Sequence, residues 1–178
     1  MKAMFQRSFW PRILVILGSL GMLIGALDPL EGSGIILIGS ALMVLGTLLD
    51  PNTTSHHWFG YRLMVFVLVG IGVGAMWVLS AVGGIGGGSG HTMWWGLLIL
   101  PYLIGWSMGI CGPGNPRWML ILGIVVGLWY LTLSAMVASH HFKISSSWLI
   151  IMIGTTGLVT IAGCVARLRH FHSLNTKP

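Results

Sequence analysis

Charged side chains are scarce in this 178-residue chain, and acidic ones are almost absent. Only 7% of the residues are charged, with three Asp and Glu against nine Lys and Arg. A soluble domain carries about 25% charged residues, so a water-soluble fold would lack the polar surface that it needs. Hydrophobic residues make up 55% of the sequence and occur in long runs. This pattern indicates that lipid is the surrounding solvent.

Uncharged stretches predict an all-α, polytopic membrane helical bundle that forms a single domain over residues 1–178. Six transmembrane helices are predicted, at 12–28, 33–49, 62–82, 93–110, 117–139 and 147–167. A helix rises about 1.5 Å per residue and a hydrocarbon core is about 30 Å thick, so the first two stretches are somewhat short. A re-entrant hairpin is the alternative for those two. Two full spans are favoured because they leave Asp28 and Glu31 in water.

Basic residues are distributed unevenly over the predicted loops. In a six-span arrangement, eight of the nine Lys and Arg residues lie on one side and only Lys143 lies on the other. The positive-inside rule then places the N-terminus and the C-terminus in the cytoplasm, together with the loops around Arg62 and Arg117. The predicted location is the cytoplasmic (inner) membrane of a bacterium. Because topology accounts for the net charge of +6, no nucleic-acid partner is predicted, and the lipid bilayer is the expected surrounding.

Glycines four residues apart recur within the predicted spans. Such spacing lets two helix backbones approach closely, so these pairs predict helix packing within the chain, with other membrane chains or with a second copy. The pairs are Gly70 and Gly74, Gly105 and Gly109, and Gly123 and Gly127.

A short likeness links the first two predicted spans. The segment that begins Gly18-Ser19 and continues to Met22 resembles the segment that begins at Gly39 and continues to Met43. A duplicated helix is one interpretation. The favoured interpretation is that Gly/Ser-rich spans ended by Asp-Pro are common, because proline cannot continue the helix before it.

Ionisable side chains are missing from the interior of the predicted spans. This excludes the usual sites of ion-coupled carriers and proton pumps, and the facing histidines of a bundle haem site. Hydroxyl side chains remain, and they could line a path for a neutral solute. The favoured interpretation is that they bond to carbonyls of their own helices. They include Ser19, Ser40, Thr47, Ser107, Thr132, Ser134, Thr155, Thr156 and Thr160.

Possible metal ligands gather on the predicted outer face. Three imidazoles and two carboxylates suit a transition metal by ligand type, but they come from three loops and match no known ligand spacing. Interface residues are therefore the favoured interpretation. The set is Asp28, Glu31, His91, His140 and His141.

Two cysteines, Cys111 and Cys164, lie near the predicted cytoplasmic ends of their spans. No disulfide is predicted in that reducing setting. Cys111 stands six positions before Arg117, as in a thiol-phosphatase loop, but Pro113 and Pro116 lack the N–H groups that would hold phosphate. The segment is interpreted as a tight turn.

Three functions are therefore considered. The first is a non-catalytic packing or accessory subunit, or an assembly factor, of a larger membrane complex. The alternatives are a pore or carrier for a small neutral solute, and an outer-face metal-binding protein or enzyme. The first is favoured because glycine pairs and short loops suit helices that exist to pack. No catalytic residue, no enzyme activity and no cofactor are predicted.

Overall fold

The computed structural model describes residues 2–27, 31–50, 53–83, 93–139 and 147–175. Within these ranges the chain is all-α. Its helices are α1 (Lys2–Gly25), α2 (Ser33–Leu48), α3 (Thr53–Ala81), α4 (Leu100–Cys111), α5 (Arg117–Ala138) and α6 (Ser147–Asn175). A 3-10 segment, Met93–Ile99, leads directly into α4.

Long apolar helices indicate a membrane protein. Among the described residues, three segments are both long and apolar enough to cross a membrane: Trp58–Ala81, Arg117–Ala138 and Ile150–His170. Three further apolar segments are shorter: Phe9–Gly25, Ser33–Leu48 and Trp95–Cys111. Large apolar side chains stand on the outside of the bundle, as lipid contact requires. Trp77 is 59% exposed and Leu128 is 52% exposed.

Helix bounds differ clearly from the predicted spans in four places. Helix α1 covers Lys2–Gly25 rather than residues 12–28. Helix α3 begins at Thr53 rather than at residue 62, and α6 continues to Asn175 rather than ending at 167. The span predicted at 93–110 is not one continuous α-helix, because its first part is the 3-10 segment. Pro101 then lies in the first turn of α4. Backbone N–H groups in a first turn have no acceptor within the helix, so the missing N–H of proline costs no hydrogen bond there.

Helix α4 lies at the centre of the bundle. It packs mainly against α3 and α6, and it also contacts α1 and α5. Its inward side chains Tyr102, Trp106 and Ile110 are 2%, 1% and 0% exposed. The largest contacts elsewhere join α1 to α2, α2 to α3, and α5 to α6. The helices thus surround a short, apolar central element.

Helices α1 and α2 meet through reciprocal glycine contacts. A Cβ atom added at Gly25 would lie 2.6 Å from the carbonyl oxygen of Gly32, and one added at Gly46 would lie 2.7 Å from that of Pro11. Gly46 lies 21 positions after Gly25, and Pro11 lies 21 positions before Gly32, so exchanging the two helices converts one contact into the other. The pair therefore has local two-fold symmetry.

The same symmetry holds at the crossing point of the two helices. A Cβ atom at Gly39 would lie 2.6 Å from the carbonyl oxygen of Gly18 and 2.9 Å from the backbone nitrogen of Met22. A Cβ atom at Gly18 would meet the carbonyl oxygen of Gly39 and lie 2.9 Å from the backbone nitrogen of Met43. The short sequence likeness between these segments thus corresponds to equivalent packing positions.

Aromatic side chains bond to the C-terminal end of α1. Trp106 Nε1 donates to the carbonyl oxygen of Met22 at 2.9 Å, and the Tyr130 hydroxyl donates to that of Ala26 at 3.0 Å. The two rings meet edge to face, with centroids 5.5 Å apart. Carbonyls at a helix end lack intrahelical partners, so these bonds satisfy acceptors that would otherwise be costly in an apolar interior.

Candidate functional site

Most of the predicted metal ligands lie outside the described residues. These are Asp28, His91, His140 and His141, whereas Glu31 is an exposed residue of the turn before α2. Among the residues that the structure describes, no group of three or more His, Cys, Asp and Glu side chains could hold a metal ion. The metal site stays a prediction about the loops.

Two of the predicted glycine pairs lie at helix contacts within the chain. A Cβ atom at Gly105 would lie 2.9 Å from the Cβ of Leu68 in α3, and one at Gly109 would lie 2.9 Å from the Sδ of Met22 in α1. A Cβ atom at Gly123 would lie 2.8 Å from the Sγ of Cys164. A Cβ atom at Gly127 would lie 3.0 Å from the carbonyl oxygen of Gly157 in α6.

The third pair is packed less tightly. A Cβ atom at Gly70 would have Leu37 Cδ1 as its nearest neighbour, at 3.8 Å. At Gly74, no atom of the described residues lies within 4 Å. Gly70 therefore contacts α2, whereas at Gly74 helix α3 presents a shallow apolar groove that no other described helix fills.

Several glycines of comparable importance were missed by the four-residue spacing. Gly18 and Gly25 in α1, and Gly39 and Gly46 in α2, are each seven positions apart. Seven residues make about two helical turns, so residues at this spacing share one face. That spacing is the sequence signal that could have located the α1–α2 contact.

The hydroxyl side chains are mostly used inside the bundle. Ser19, Thr47 and Thr156 each donate to the carbonyl oxygen four residues earlier, at 2.6, 2.7 and 2.7 Å. Ser107 and Thr160 bond to each other at 3.0 Å across α4 and α6. This agrees with the favoured interpretation and leaves these groups committed to packing.

Basic residues from four helices meet at one end of the bundle, here called the basic end. Arg12 and Arg62 line the same cavity as Trp58. The guanidinium carbon of Arg167 lies 6.0 Å from the centre of the Trp58 ring, a cation–π distance. Arg117 begins α5 directly after another residue of the cavity wall. Their common location was predicted from the charge distribution, whereas the side of the membrane stays a prediction.

The cavity at the basic end measures about 420 Å³. This falls within the range of small-molecule pockets, roughly 300–1,000 Å³. Its walls come from α1, α2, α3 and the turn between α4 and α5. They comprise Pro11, Arg12, Val15, Ile16, Gly46, Thr47, Asp50, Trp58, Arg62, Gly114 and Pro116.

Arg62 is only 6% exposed. Its Nη1 donates to Thr47 Oγ1 at 2.6 Å and to the carbonyl oxygen of Met43 at 3.5 Å, and its Nη2 donates to that of Pro113 at 3.4 Å. Nε has no partner among the described residues. These three acceptors are neutral, and Asp50 in the same cavity is the negatively charged group of the described lining that acts on the guanidinium.

Arg62 was predicted as the first residue of the span at 62–82, next to a loop, and the structure corrects this position. The sequence shows an apolar run only from Leu63 onwards, but α3 begins at Thr53 and carries Arg62 well inside the helix. Membrane spans are recognised from their apolar residues, and a helix that begins among polar residues escapes that criterion.

The turn between α4 and α5 shapes one wall of the cavity. Gly114 has a φ of 81°, and a Cβ atom there would lie 2.9 Å from Arg62 Nη2. Only glycine fits this position well, because the left-handed conformation and the guanidinium both exclude a side chain. Asn115 Nδ2 donates to the carbonyl oxygens of Gly109 and Ile110, at 2.8 and 2.9 Å, and so holds the turn on the end of α4.

The described lining of the cavity offers positive charge and hydrogen-bond donors. It contains two guanidinium groups and one carboxylate, that of Asp50. A guanidinium does not exchange its proton near neutral pH, so these groups favour binding over proton transfer.

Comparisons of the chain with protein-family models, curated proteins and solved structures found no match.

A pair of free cysteines joins α4 to α6. The Sγ atoms of Cys111 and Cys164 lie 3.0 Å apart, and Cys164 is 0% exposed. The Cys111 thiol also donates to the carbonyl oxygen of Thr160 at 3.3 Å. Both residues were predicted to be reduced, but their contact across two helices was not predicted.

Proposed function

We propose that the protein is a non-catalytic packing or accessory subunit, or an assembly factor, of a larger membrane complex. In this proposal it crosses the cytoplasmic (inner) membrane of a bacterium six times and has both termini in the cytoplasm. Its partners are the lipid bilayer and an apolar helix of another membrane chain or of a second copy. The observation that carries the proposal is the open groove at Gly74.

The groove has the form that a membrane helix can use. Val67, Ile71 and Val78 are 47%, 56% and 59% exposed around Gly70 and Gly74. Lipid tails are as apolar as these side chains, so helices associate in a membrane through close packing, and small residues permit that packing. The other two glycine pairs already lie against helices of this chain. This supports the groove at Gly74 as the place for a helix from elsewhere.

The alternative functions have less support. The hydroxyls that could line a solute path bond to each other or to helix carbonyls, as Ser134 Oγ does to the carbonyl oxygen of Ile150 at 2.9 Å. Four of the five predicted metal ligands lie outside the described residues. We therefore argue for the packing role alone.

Gly74→Leu tests the proposal most directly. Because a side chain at this position meets open space, the variant should fold normally and yet lose its partner helix. The assembly is extracted from its own membrane in mild detergent and weighed by native mass spectrometry. We expect a complex of fixed composition for the wild type and a lone chain for the variant.

Matched variants separate loss of a partner from loss of fold. Gly34→Leu also meets open space but lies in α2, so it should keep the complex. Gly123→Leu should damage the fold itself, because Ile110 Cγ2 lies 2.6 Å from the Cβ position. An unchanged assembly mass for Gly74→Leu would contradict the proposal, as would the absence of any complex in the wild type.

Topology is tested separately. Reporter domains that are active only in the cytoplasm are fused to each terminus, and equivalent periplasmic reporters serve as controls. We expect cytoplasmic activity at both ends, because an even number of spans returns the chain to its starting side. Termini on opposite sides of the membrane would exclude the six-span arrangement, and two periplasmic termini would contradict the predicted orientation.

A further inference from the structure

We propose that the cavity at the basic end binds a phosphate group, which Arg12 and Arg62 hold between α1 and α3. The proposal goes beyond the packing function and does not depend on a partner chain. It rests on the charge of the cavity, on the hydrogen bonds of Arg62 and on the shape of the walls.

Charge favours an anion in this cavity. Arg12 and Arg62 contribute two positive charges to the lining, and Asp50 contributes one negative charge. Arg167 and Arg117 stand close by at the same end of the bundle. The positive charges therefore outnumber the carboxylate that would repel an anion, and apolar walls weaken their screening by water.

Arg62 is a buried cation in the cavity wall. Its side chain is only 6% exposed, and its Nε has no hydrogen-bond partner among the described residues. The neutral oxygen atoms of Thr47, Met43 and Pro113 accept hydrogen bonds from its two Nη atoms. A buried guanidinium is costly unless a counter-charge accompanies it. Asp50 supplies one negative charge to this cavity, and an oxyanion bound there would add a second for the two guanidinium groups of Arg12 and Arg62.

The walls keep the space open and hold the guanidinium in place. The 2.6 Å hydrogen bond that Arg62 Nη1 donates to Thr47 Oγ1 fixes Arg62 from the α2 side. At Gly114, a side chain would collide with Arg62 Nη2, and at Gly46 one would collide with the carbonyl oxygen of Pro11. Glycine at 114 therefore leaves room for the guanidinium, and glycine at 46 permits the close contact of α1 and α2, which both line the cavity of about 420 Å³.

Phosphate is the anion that fits this location best. The planar guanidinium fork matches phosphate oxygens, and arginine is the usual residue for that recognition. Arg12 is exposed at the mouth of the cavity, whereas Arg62 lies deep within it. Basic residues at the ends of membrane helices stand at the level of the lipid headgroups. The phosphate can thus belong to an anionic lipid or be a free phosphate in solution, and the experiment distinguishes these sources.

The test uses the full-length protein in mild detergent, examined by native mass spectrometry. The probes are phosphatidylglycerol, diacylglycerol, which has a similar glycerol backbone without phosphate, and inorganic phosphate. We expect phosphatidylglycerol to bind roughly tenfold or more tightly than diacylglycerol, because charge-assisted bonds to arginine are strong. Inorganic phosphate should compete if the headgroup phosphate occupies the cavity.

Three variants assign the binding to the cavity. Arg12→Gln and Arg62→Gln should each reduce the preference for phosphate about tenfold, since each removes a charged donor. Arg169→Gln is the matched control, because it removes an exposed positive charge from α6 that does not line the cavity. Circular dichroism checks the fold of each variant. If Arg62→Gln is unfolded, the binding measured with Arg12→Gln tests the site, because Arg12 is exposed.

The outcomes either support the site or overturn it. Arginine-dependent binding of phosphatidylglycerol supports a lipid headgroup, and arginine-dependent binding of inorganic phosphate alone supports a soluble source. Equal binding of phosphatidylglycerol and diacylglycerol, without arginine-dependent phosphate binding, overturns the proposal. An equal loss in Arg12→Gln and Arg169→Gln also overturns it, because the effect would then be the general charge of the surface.

Discussion

Replacing Gly39 by alanine tests the crossing of α1 and α2. The added Cβ atom would lie 2.6 Å from the carbonyl oxygen of Gly18 and 2.9 Å from the backbone nitrogen of Met22. Real Cβ atoms do not approach other atoms so closely, so one helix must move away from the other. Neither neighbour can turn aside as a flexible side chain would, because both are backbone atoms.

Two opposing effects set the size of the change. Overpacking typically costs about 1–3 kcal/mol, and a backbone collision belongs near the upper end of that range. Alanine is favoured over glycine inside a helix by about 1 kcal/mol, which offsets part of the cost. The net loss of unfolding free energy for Gly39→Ala is therefore about 2 kcal/mol. For a chain of this size, that corresponds to a decrease in Tm of roughly 4–8 °C.

The effect is measured as the change in Tm on thermal unfolding in mild detergent. Near-ultraviolet circular dichroism of the buried tryptophan monitors the unfolding. Gly34→Ala is the control, because it lies in the same helix and has no described atom within 4 Å of its Cβ position. It should leave Tm unchanged or raise it slightly. Gly18→Ala should repeat the loss, since the two-fold symmetry gives it an equivalent contact. Equal Tm values for Gly39→Ala and Gly34→Ala would refute the close approach of the helices.

Three further predictions concern other contacts. Trp106→Phe removes the N–H that donates to an α1 carbonyl at 2.9 Å and should cost about 1–3 kcal/mol, because a buried acceptor loses its donor; an unchanged Tm would contradict this. Copper-phenanthroline should take two electrons from the thiols of Cys111 and Cys164, 3.0 Å apart, and join them in a disulfide with release of two protons. Both thiols should then fail to react with maleimide after denaturation, whereas Cys111→Ser should keep one reactive thiol; two reactive thiols in the oxidised wild type would oppose the contact. Thr47→Val removes the 2.6 Å acceptor of Arg62 and should lower stability by about 1–3 kcal/mol, while Thr47→Ser should retain it; equal Tm values for the two variants would argue against this role.

The all-α membrane character was predictable because it depends on composition and on the length of apolar runs. These properties are local, and lipid selects for them along each segment independently. The common location of Arg12, Arg62 and Arg117 at one end followed from counting charges in the predicted loops. The count of basic residues on each side depends on the number of spans but not on how the helices pack.

The burial of Arg62 was not predictable in the same way. Its immediate neighbours Tyr61 and Leu63 fit either a helix end or a helix interior. Whether an arginine is buried depends on what packs over it, and here α2 and the α4–α5 turn supply the acceptor atoms. Those acceptors are 15 and 51 positions away in the sequence. Their proximity arises only when the helices assemble.

The sequence by itself determined the class of protein and the faces on which its helices can approach one another. Glycine spacing shows that a helix has a flat face, since residues four or seven apart lie on the same side. Tertiary structure alone decided which helix covers each face: Gly39 meets α1, Gly123 meets α4 and α6, and Gly74 stays open. The physical reason is that van der Waals packing between helices depends on the fit of both surfaces, whereas a sequence pattern describes one surface at a time.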